Sequence, residues 1–438
     1  MKVCIVGAGP AGRSASGQIR QQDKEAEIDI FSTQSEIGYA PCEPPFVLRG
    51  VAGWDDIFYP GNFFEDRNIT VHLKTEVTDI FREEKRIVAG GRSYSYDKLL
   101  LSPGAATSVP AIPGLDGYNE YTLSTNIADG RELEKVLPRH TSAAVIGAGA
   151  IGLEMMLTLV ARGYSKVYLL VRRNILRTYL DDDMGKILEE VINRNGAEVV
   201  LPAGIESITT DSGKKRICLS DRELEVDFVF LATGARPRVG LARQAGIEIG
   251  ETGGILVNRY LQTSDPDIYA AGDCIENWES ITGSKIQHLM VLAAGKTGGI
   301  AGTNMVSGNS TPYEGTLRPF VIEVFGYQVG TVGYTERLAG EKGMDVVSSK
   351  SSGVAARERY GGKPVHCKLV ADRESRTLIG AQLASEGMIR GMVNELTLVI
   401  SERIPLHRLT EIETAYSPAV GIDPLAGAIA ELMYKLGR

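Results

Sequence analysis

Two glycine-rich segments are the parts of this chain whose residue types and spacing could carry chemistry. Residues 7–12 read Gly-Ala-Gly-Pro-Ala-Gly and follow an apolar run, and residues 147–152 read Gly-Ala-Gly-Ala-Ile-Gly and follow another. Each segment is predicted to lie at a strand-to-helix turn, where bare backbone can approach a pyrophosphate and the helix N-terminus stabilises its charge. One such segment is weak evidence, but two in the same setting predict two dinucleotide sites.

A cysteine, Cys42, follows the first glycine segment within a stretch rich in Gly, Pro and aromatic residues (38–61). The prolines after Glu43 favour the first turn of a helix, and a helix N-terminus stabilises a thiolate. A small packing residue in an irregular loop is the alternative for Cys42. Taken with two dinucleotide sites, the economical interpretation is a bound flavin that receives hydride from a nicotinamide, with Cys42 taking the electrons onward.

Composition excludes several classes of protein. The chain has 438 residues, enough for two or three domains, and 43% hydrophobic and 23% charged residues are ordinary for a globular protein. A formal net charge of −8 argues against a nucleic-acid partner or an anionic membrane. No apolar run approaches the ~20 residues of a membrane helix, and the first strand is expected to begin at Met1 or Lys2, without a signal peptide.

The remaining cysteines and the histidines suggest no further chemistry. The cysteines are few, odd in number and scattered, which is not a disulfide framework, so we expect a cytoplasmic protein. Packing roles are expected for Cys4, Cys218, Cys274 and Cys367. The five histidines show no ligand spacing, so no metal site is expected.

The order of predicted elements indicates an internal duplication. A strand, glycine turn, helix and second strand over residues 3–31 are repeated over residues 143–171, and residues 97–104 and 226–234 close the two copies similarly. From about Tyr313 the pattern changes to alternating strands and helices. The predicted fold is therefore α/β, with two Rossmann-like dinucleotide-binding domains and a C-terminal α+β domain.

Further motifs place these features in a known family. The chain resembles the flavin-dependent pyridine nucleotide–disulfide oxidoreductases, and within them the single-cysteine branch of coenzyme A disulfide reductases, NADH oxidases and peroxidases, and persulfide or polysulfide reductases. The motifs are the two glycine segments, Ala-Gly-Asp at 271–273, Ala-Thr-Gly at 232–234, Leu-Ile-Gly-Ala-Gln at 378–382 and Tyr-Ala-Pro-Cys at 39–42. The resemblance implies an FAD-binding domain (1–112 and 243–312), an NAD(P)H-binding domain (113–242) and a dimerisation domain (313–438).

The resemblance also implies roles for individual residues. The FAD site would comprise Gly7, Gly9, Ala11, Gly12, Ser32, Val77, Ser102, Gly104 and Asp273. The NADPH or NADH site would comprise Gly147, Gly149, Ile151, Gly152, Glu154, Arg172, Arg173 and Gly234. Cys42 and Tyr416 would be catalytic, and Arg20, Tyr39 and Tyr360 would contact the substrate.

Two of these sites have competing interpretations, and Ser32 departs from the family's pattern. Asp273 is expected to bind the ribityl chain of the flavin, and a helix N-cap is the alternative. Ser32 stands where the family usually has a ribose-binding carboxylate. Arg172 and Arg173 follow a strand at the position that reads the 2′ group of the adenosine ribose, so we expect NADPH or both nucleotides, unless they are two solvated charges.

Departures from the family's patterns bear on the substrate. Oxidases and peroxidases of the branch carry a histidine where Pro10 stands, so the sequence favours a small-molecule disulfide, persulfide or polysulfide over oxygen. Gln21 and Pro41 replace family residues and Glu43 adds a carboxylate beside Cys42, and these changes favour a persulfide or polysulfide over coenzyme A disulfide. Coenzyme A is kept as an alternative. An NAD(P)H oxidase that forms peroxide is the alternative function. Tyr416 resembles a residue contributed by the partner subunit, which implies a homodimer or a dimer of dimers.

Overall fold

The computed structural model describes residues 1–354, 356–416, 419 and 423–437. Its helices are α1 (Pro10–Gln22), α2 (Pro44–Leu48), α3 (Ile127–Val136), α4 (Ala150–Ala161), α5 (Asp182–Arg194), α6 (Gly240–Gln244), α7 (Val291–Ser307), α8 (Glu336–Glu341), α9 (Arg390–Ser401), α10 (Leu406–Glu411) and α11 (Pro424–Lys435). None of these helices is both long enough and apolar enough to cross a membrane. The described chain divides into two compact units.

The first unit comprises Met1–Val109, Thr122–Val136 and Gly234–Thr316. Its central sheet is parallel throughout and has the spatial order Ile268–Ala270, Lys98–Leu101, Lys2–Val6, Glu27–Phe31 and Thr70–His72. These strands are short apolar runs because a parallel sheet is covered on both faces. Smaller antiparallel sheets join Val77–Phe81, Arg86–Ala89 and Arg92–Ser95, join Ala105–Thr107 with Ala235–Pro237, and join Asn277–Trp278 with Lys285–Ile286.

Helices α1 and α7 pack with their backbones in close contact. A Cβ atom on Gly298 would lie 2.1 Å from the carbonyl oxygen of Ala11, and one on Gly302 would lie 2.5 Å from that of Ala15. Both distances are far below van der Waals contact, so only glycine fits on this side of α7. The contact fixes α1, and therefore the glycine turn that precedes it, against the rest of the unit.

The second unit comprises Pro110–Tyr121, Leu137–Thr233 and Leu317–Arg438. Its first sheet is again parallel, with the order Glu198–Val200, Lys166–Leu170, Ser142–Ile146, Phe228–Leu231 and Glu120–Tyr121. A three-stranded antiparallel sheet joins Ile205–Asp211, Lys214–Leu219 and Glu223–Val226. The strand–turn–helix arrangement of the first unit is thus repeated, as the sequence duplication predicts.

A five-stranded antiparallel sheet forms the C-terminal part of the second unit. Its order is Phe320–Val324, Tyr327–Gly333, Leu378–Ser385, Pro364–Asp372 and Val346–Val354. The ammonium of Lys368, on one of these strands, is nearly buried and lies 3.1 Å from Asp181, 3.3 Å from Asp183 and 2.9 Å from Glu336. These carboxylates raise the pKa of Lys368 despite its burial. The ion pairs tie the start of α5 to the C-terminal sheet.

The predicted fold class is confirmed, with two parallel dinucleotide-type sheets and a C-terminal α+β part. The strand–turn–helix–strand units predicted over residues 3–31 and 143–171 are observed over residues 2–31 and 142–170. The predicted domain boundaries stay a prediction, because the two compact units group the chain differently. In particular, Thr122–Val136 belongs to the first unit.

The α1–α7 contact predicts an asymmetric response to alanine. Gly302→Ala should lower the free energy of unfolding by about 1–3 kcal/mol through overpacking, offset by up to ~1 kcal/mol of helix propensity. Gly391→Ala is the matched control, because Gly391 lies in α9, where an added Cβ atom would meet nothing within 4 Å. Urea unfolding should show a loss for the first variant and none for the control, and equal midpoints would contradict the packing argument.

Candidate active site

A cavity of about 980 Å³ opens in the first unit, large enough for a dinucleotide. It lies against the carboxyl ends of the parallel strands, where α/β sheets bind their ligands. The predicted flavin residues that line it are Gly7, Gly9, Ala11, Ser32, Val77, Ser102, Gly104 and Asp273. Sequence elements far apart in the chain are therefore brought to one site.

The first glycine turn forms the floor of this cavity. Gly7 has a φ of +106°, and a Cβ atom there would lie 2.1 Å from the carbonyl oxygen of Ser102. A Cβ on Gly12 would lie 2.0 Å from the carbonyl oxygen of Gly7, so Gly12 serves helix–strand packing and does not line the cavity. A Cβ on Gly9 would meet no atom within 4 Å. The bare backbone of Gly9, at the N-terminus of α1, is thus open to a pyrophosphate.

The second glycine turn repeats this geometry in the second unit. Gly147 has a φ of +108°, and its Cβ would lie 2.3 Å from the carbonyl oxygen of Ala232. A Cβ on Gly152 would lie 2.0 Å from the carbonyl oxygen of Gly147, whereas one on Gly149 would meet nothing within 4 Å. Ile151 lies in the first turn of α4, with Glu154 one turn further. The same backbone cradle therefore exists twice, once in each unit.

Asp273 carries a carboxylate oxygen that calls for a ligand. It lies in the short 3₁₀ helix Gly272–Cys274 and lines the cavity. Its Oδ1 is buried and has no hydrogen-bond partner among the described residues, and burial raises the pKa of the carboxyl to about 6. The N-cap of this 3₁₀ helix is Ala271, so the capping alternative for Asp273 is not observed. A ligand hydroxyl donating to Oδ1 would satisfy this atom, as a ribityl chain can.

The two serines of the predicted flavin site make hydrogen bonds with the backbone. Ser32 follows the strand Glu27–Phe31, is buried, and accepts a hydrogen bond at Oγ from the backbone N–H of Gln34 at 3.2 Å. The Oγ of Ser102 lies 3.0 Å from the carbonyl oxygen of Val6 and 3.2 Å from that of Gly7. Ser102 therefore braces the glycine turn. Gly104, two residues on, has a φ of +72°.

The loop that carries Cys42 is anchored to α3 within the first unit. The hydroxyl of Tyr39 lies 2.7 Å from the carbonyl oxygen of Thr125 and accepts from the N–H of Ile127 at 3.1 Å. The guanidinium of Arg131 lies 2.9 Å from the carboxylate of Glu36. Both anchors join the loop to residues about 85–95 positions later, so the position of Cys42 is set by a distant part of the chain.

Cys42 is the exposed thiol among the five cysteines. It follows Pro41, which lines the cavity, and precedes α2. Burial raises the pKa of Cys4, Cys274 and Cys367 to about 12, so these three are packing residues at neutral pH. The dipole of α2 stabilises a thiolate at Cys42 only weakly, because α2 has five residues and its N-cap is the acidic Glu43.

Arg20 and Tyr39, which the resemblance assigns to substrate contacts, both make hydrogen bonds within the protein. All five N–H groups of the Arg20 guanidinium point at backbone carbonyls, which belong to residues 23, 24, 26, 67 and 68. Tyr39 is buried, and burial raises the pKa of its hydroxyl, which is occupied by α3 and Gln34. The Arg20 guanidinium therefore has no unused N–H group, whereas Tyr39 still lines the cavity although its hydroxyl is occupied.

Arg172, Arg173, Tyr360 and Tyr416 lie in the second unit and are exposed, whereas Gly234 belongs to the first unit and has a φ of +106°. Arg172 and Arg173 follow the strand Lys166–Leu170 and, among the residues that the structure describes, make no hydrogen bond or ion pair. Tyr360 ends a 3₁₀ helix, with the guanidinium of Arg359 5.1 Å from its ring. Tyr416 is two-thirds exposed. Ser417 and Pro418, the next two residues, lie outside the described residues.

Three further residues of the cavity were missed by reasoning from the sequence. Arg13, Tyr59 and Phe63 line it, with the Arg13 guanidinium stacked on both rings. A basic residue directly after a glycine segment could have drawn attention to Arg13. Its aromatic partners are 46 and 50 positions away and could not have been paired with it.

The geometry and the comparisons agree on the class of protein. Residues 1–289 match the pyridine nucleotide-disulphide oxidoreductase family, and residues 321–422 match the dimerisation domain of that family. The chain therefore belongs to the pyridine nucleotide-disulphide oxidoreductases and carries their dimerisation domain. This confirms the resemblance that the motifs predicted.

Individual relatives divide between two activities. An NADH oxidase of Methanocaldococcus jannaschii is 30% identical over the full length of both chains. A coenzyme A-dependent NAD(P)H sulfur oxidoreductase of Pyrococcus abyssi is 33% identical over 87% of this chain and 86% of its own. The structure of an NAD-dependent persulfide reductase from A. fulgidus superposes with a TM-score of 0.94 at 29% identity, covering 99% of this chain and 83% of that one.

The exposed arginines predict a preference between nicotinamide nucleotides. If Arg172 or Arg173 binds a 2′-phosphate, its removal forfeits charge-assisted bonds of about 1.5–3 kcal/mol. Replacement by alanine should then raise the KM for NADPH about ten- to a hundredfold and leave that for NADH nearly unchanged. Lys166→Ala, at the opposite end of the same strand, is the control. Unchanged constants for both nucleotides in the Arg172→Ala/Arg173→Ala double variant would make these arginines plain surface charges.

Proposed function

We propose that this protein is a cytoplasmic FAD-containing enzyme that uses NAD(P)H to reduce a sulfur–sulfur bond, with Cys42 as its redox residue. One observation carries the proposal: the exposed thiol directly follows the wall of a cavity whose bare glycine turn and unpartnered Asp273 fit a flavin dinucleotide. The sulfur oxidoreductase and persulfide reductase among the relatives support the same chemistry.

The residues divide the cofactors between the two units. In the first unit, the backbone at Gly9 would take the flavin pyrophosphate and Asp273 a ribityl hydroxyl. In the second, the backbone at Gly149 would bind the pyrophosphate of NAD(P)H. Arg172 and Arg173 would bind the 2′ group of its adenosine ribose. When bound, the flavin accepts hydride from the nicotinamide and supplies electrons in pairs.

Cys42 would carry out the sulfur chemistry as a thiolate. The thiolate attacks the outer sulfur of a persulfide RS–S⁻, the S–S bond breaks, and its electron pair leaves with RS⁻, so that Cys42 becomes a persulfide. Two electrons and one proton then release HS⁻ and restore the Cys42 thiolate. No second cysteine is needed, which agrees with the burial of Cys4, Cys274 and Cys367.

The substrate would be a persulfide or polysulfide in preference to coenzyme A disulfide. The basic residue of α1 that the resemblance assigns to coenzyme A is Arg20, and its guanidinium is fully used by backbone carbonyls. The next position is Gln21, which lines the cavity without a charge. Coenzyme A remains a candidate carrier of the sulfur, as the name of the Pyrococcus abyssi relative indicates for that protein.

A peroxide-forming NAD(P)H oxidase is the second candidate function. The oxidase relative that matches the full chain favours it. Pro10, at the N-terminus of α1, provides no proton at the position where oxidases of the branch carry a histidine, so four-electron reduction of oxygen to water would lack its acid–base partner. Oxygen consumption that exceeds anaerobic sulfur reduction would favour this second function.

Replacement of Cys42 tests the redox assignment. Under anaerobic titration the protein should take up more than two electrons per subunit and develop a long-wavelength thiolate–flavin charge-transfer band. Cys42→Ser should take up only two electrons and lose sulfur reduction while keeping diaphorase activity with artificial acceptors. Cys218→Ser is the matched control, because it removes a half-buried thiol from the strand Lys214–Leu219 of the second unit. Full sulfur reduction by Cys42→Ser would refute the assignment.

Assembly is the second part of the proposal. The dimerisation domain supports a homodimer, and we propose that Tyr416 of one subunit donates a proton or hydrogen bond at the Cys42 site of the other. A dimer of dimers would contain the same pairwise site.

Mixing two inactive variants tests this arrangement. Cys42→Ser and Tyr416→Phe should each be impaired as homodimers. If Tyr416 acts across the interface, each mixed dimer contains one intact site, so random reassortment should restore about a quarter of the wild-type activity. If both residues act within one chain, every site in the mixture stays defective and no activity returns. Size-exclusion chromatography before and after mixing verifies that subunits have exchanged.

A further inference from the structure

Arg13 is a charged residue of the cavity that the proposed cofactor contacts do not use. Its guanidinium lies 4.7 Å from the ring centre of Tyr59 and 4.0 Å from that of Phe63, so it is clamped between two aromatic rings. Its Nε–H is buried and has no hydrogen-bond acceptor among the described residues, and no carboxylate in that part of the chain pairs with it. A clamped cation with an unused donor at a cavity wall is organised to receive an anion.

The position of Arg13 on α1 separates it from the helix contacts. Ala11 and Ala15 face α7, at Gly298 and Gly302. Gly17, one turn after Arg13, faces Phe63, because a Cβ there would lie 3.1 Å from the Phe63 ring. This face of α1 therefore looks onto the aromatic side of the cavity.

The same side of the cavity leads to Cys42. Tyr59, Phe63 and Pro41 all line the cavity with Arg13, and the N–H of Tyr59 donates to the carbonyl oxygen of Gly38 at 2.8 Å, which places Tyr59 against the Cys42 loop. Burial raises the pKa of the Tyr59 hydroxyl, and negative charge on Cys42 raises it further, whereas Arg13 lowers it. The Cys42 thiol and the Arg13 guanidinium therefore both lie close enough to Tyr59 to shift the pKa of its hydroxyl.

We propose that Arg13 binds the negatively charged end of the sulfur substrate and thereby selects anionic persulfides and polysulfides. The proposal rests on the reductase function proposed above and names the substrate class of that site. Attack by the Cys42 thiolate on RS–S⁻ brings two negative charges together, and Glu43 adds a third beside them. Arg13 supplies the compensating charge.

The guanidinium of Arg13 and the anionic end of a polysulfide have complementary chemistry. A guanidinium is planar, delocalised and weakly hydrated, and it keeps its charge at every working pH. A polysulfide terminus is a large, polarisable anion that also holds water weakly. Stacking on Tyr59 and Phe63 fixes the guanidinium before the substrate arrives, which lowers the entropy lost on binding. Sulfur chains without negative charge gain nothing from this residue.

Two alkylating reagents provide a test that does not depend on turnover. In the reduced holoenzyme, iodoacetate is anionic and iodoacetamide is neutral, and both react with the Cys42 thiolate. Arg13→Gln should lower the ratio of the iodoacetate rate to the iodoacetamide rate about three- to tenfold at low salt, with the difference shrinking as salt screens the charge. Arg13→Met, which can still pack between the rings, provides the same comparison if the glutamine variant does not fold.

The matched control is Arg49→Gln. The Arg49 guanidinium also stacks on an aromatic ring, that of Phe46 at 4.7 Å, and also has a buried Nε without a partner among the described residues, but it does not line the cavity. Its replacement should leave the rate ratio within about twofold of the wild type. An unchanged ratio in the Arg13 variants, or an equal fall in Arg49→Gln, would overturn the proposal.

Steady-state kinetics with inorganic polysulfide completes the experiment. Arg13→Gln should raise the KM for inorganic polysulfide about ten- to a hundredfold. A rise seen only with coenzyme A persulfide would assign Arg13 to the phosphates of the carrier and contradict the proposal. If the wild-type enzyme reduces no sulfur compound, the proposed function fails, and the alkylation ratio still decides whether Arg13 directs anions to Cys42.

Discussion

Contact between backbones with no side chain between them is the constraint on which this structure depends. At both glycine turns a strand end, a turn and a helix start approach so closely that a Cβ on the first or last glycine would lie 2.0–2.3 Å from a carbonyl oxygen. The middle glycine is bare for the opposite reason, since nothing in the chain occupies the space beside it. Packing and ligand binding therefore demand glycine at neighbouring positions on different grounds.

The same kind of contact joins the turn to the cavity wall. Helix α7 presses against α1 through Gly298 and Gly302, and the cavity is lined from α1, α7 and the segment of Asp273. Two buried polar atoms of this lining, Oδ1 of Asp273 and Nε of Arg13, have no hydrogen-bond partner within the described chain. The two groups differ in sign, and under the proposed function they would receive a hydroxyl and an anion.

The sequence was sufficient for features that depend on local requirements. Glycine spacing after a strand predicts the turn, and the duplication predicts that the turn occurs twice. The fold class and the glycine turn of the cavity were therefore predictable. Arg20 shows the limit, because the five carbonyls that occupy its guanidinium come from residues 23–26 and from residues 67 and 68, far along the chain. Arg13 shows the same limit, since its clamp comes from the distant Tyr59 and Phe63. The roles of Arg20 and Arg13 depend on residues that only the tertiary structure brings next to them.

The anchoring of the Cys42 loop on α3 has a consequence for how the chain folds. The loop must wait for partners at Thr125, Ile127 and Arg131, just as the first glycine turn must wait for Ser102. Closing so long a segment costs more entropy than closing a local turn, and non-local contacts of this kind form late. During synthesis the chain must therefore extend past α3 before the exposed thiol of Cys42 is held in a defined position. Completion of the candidate site depends on the synthesis of the segment Thr122–Val136.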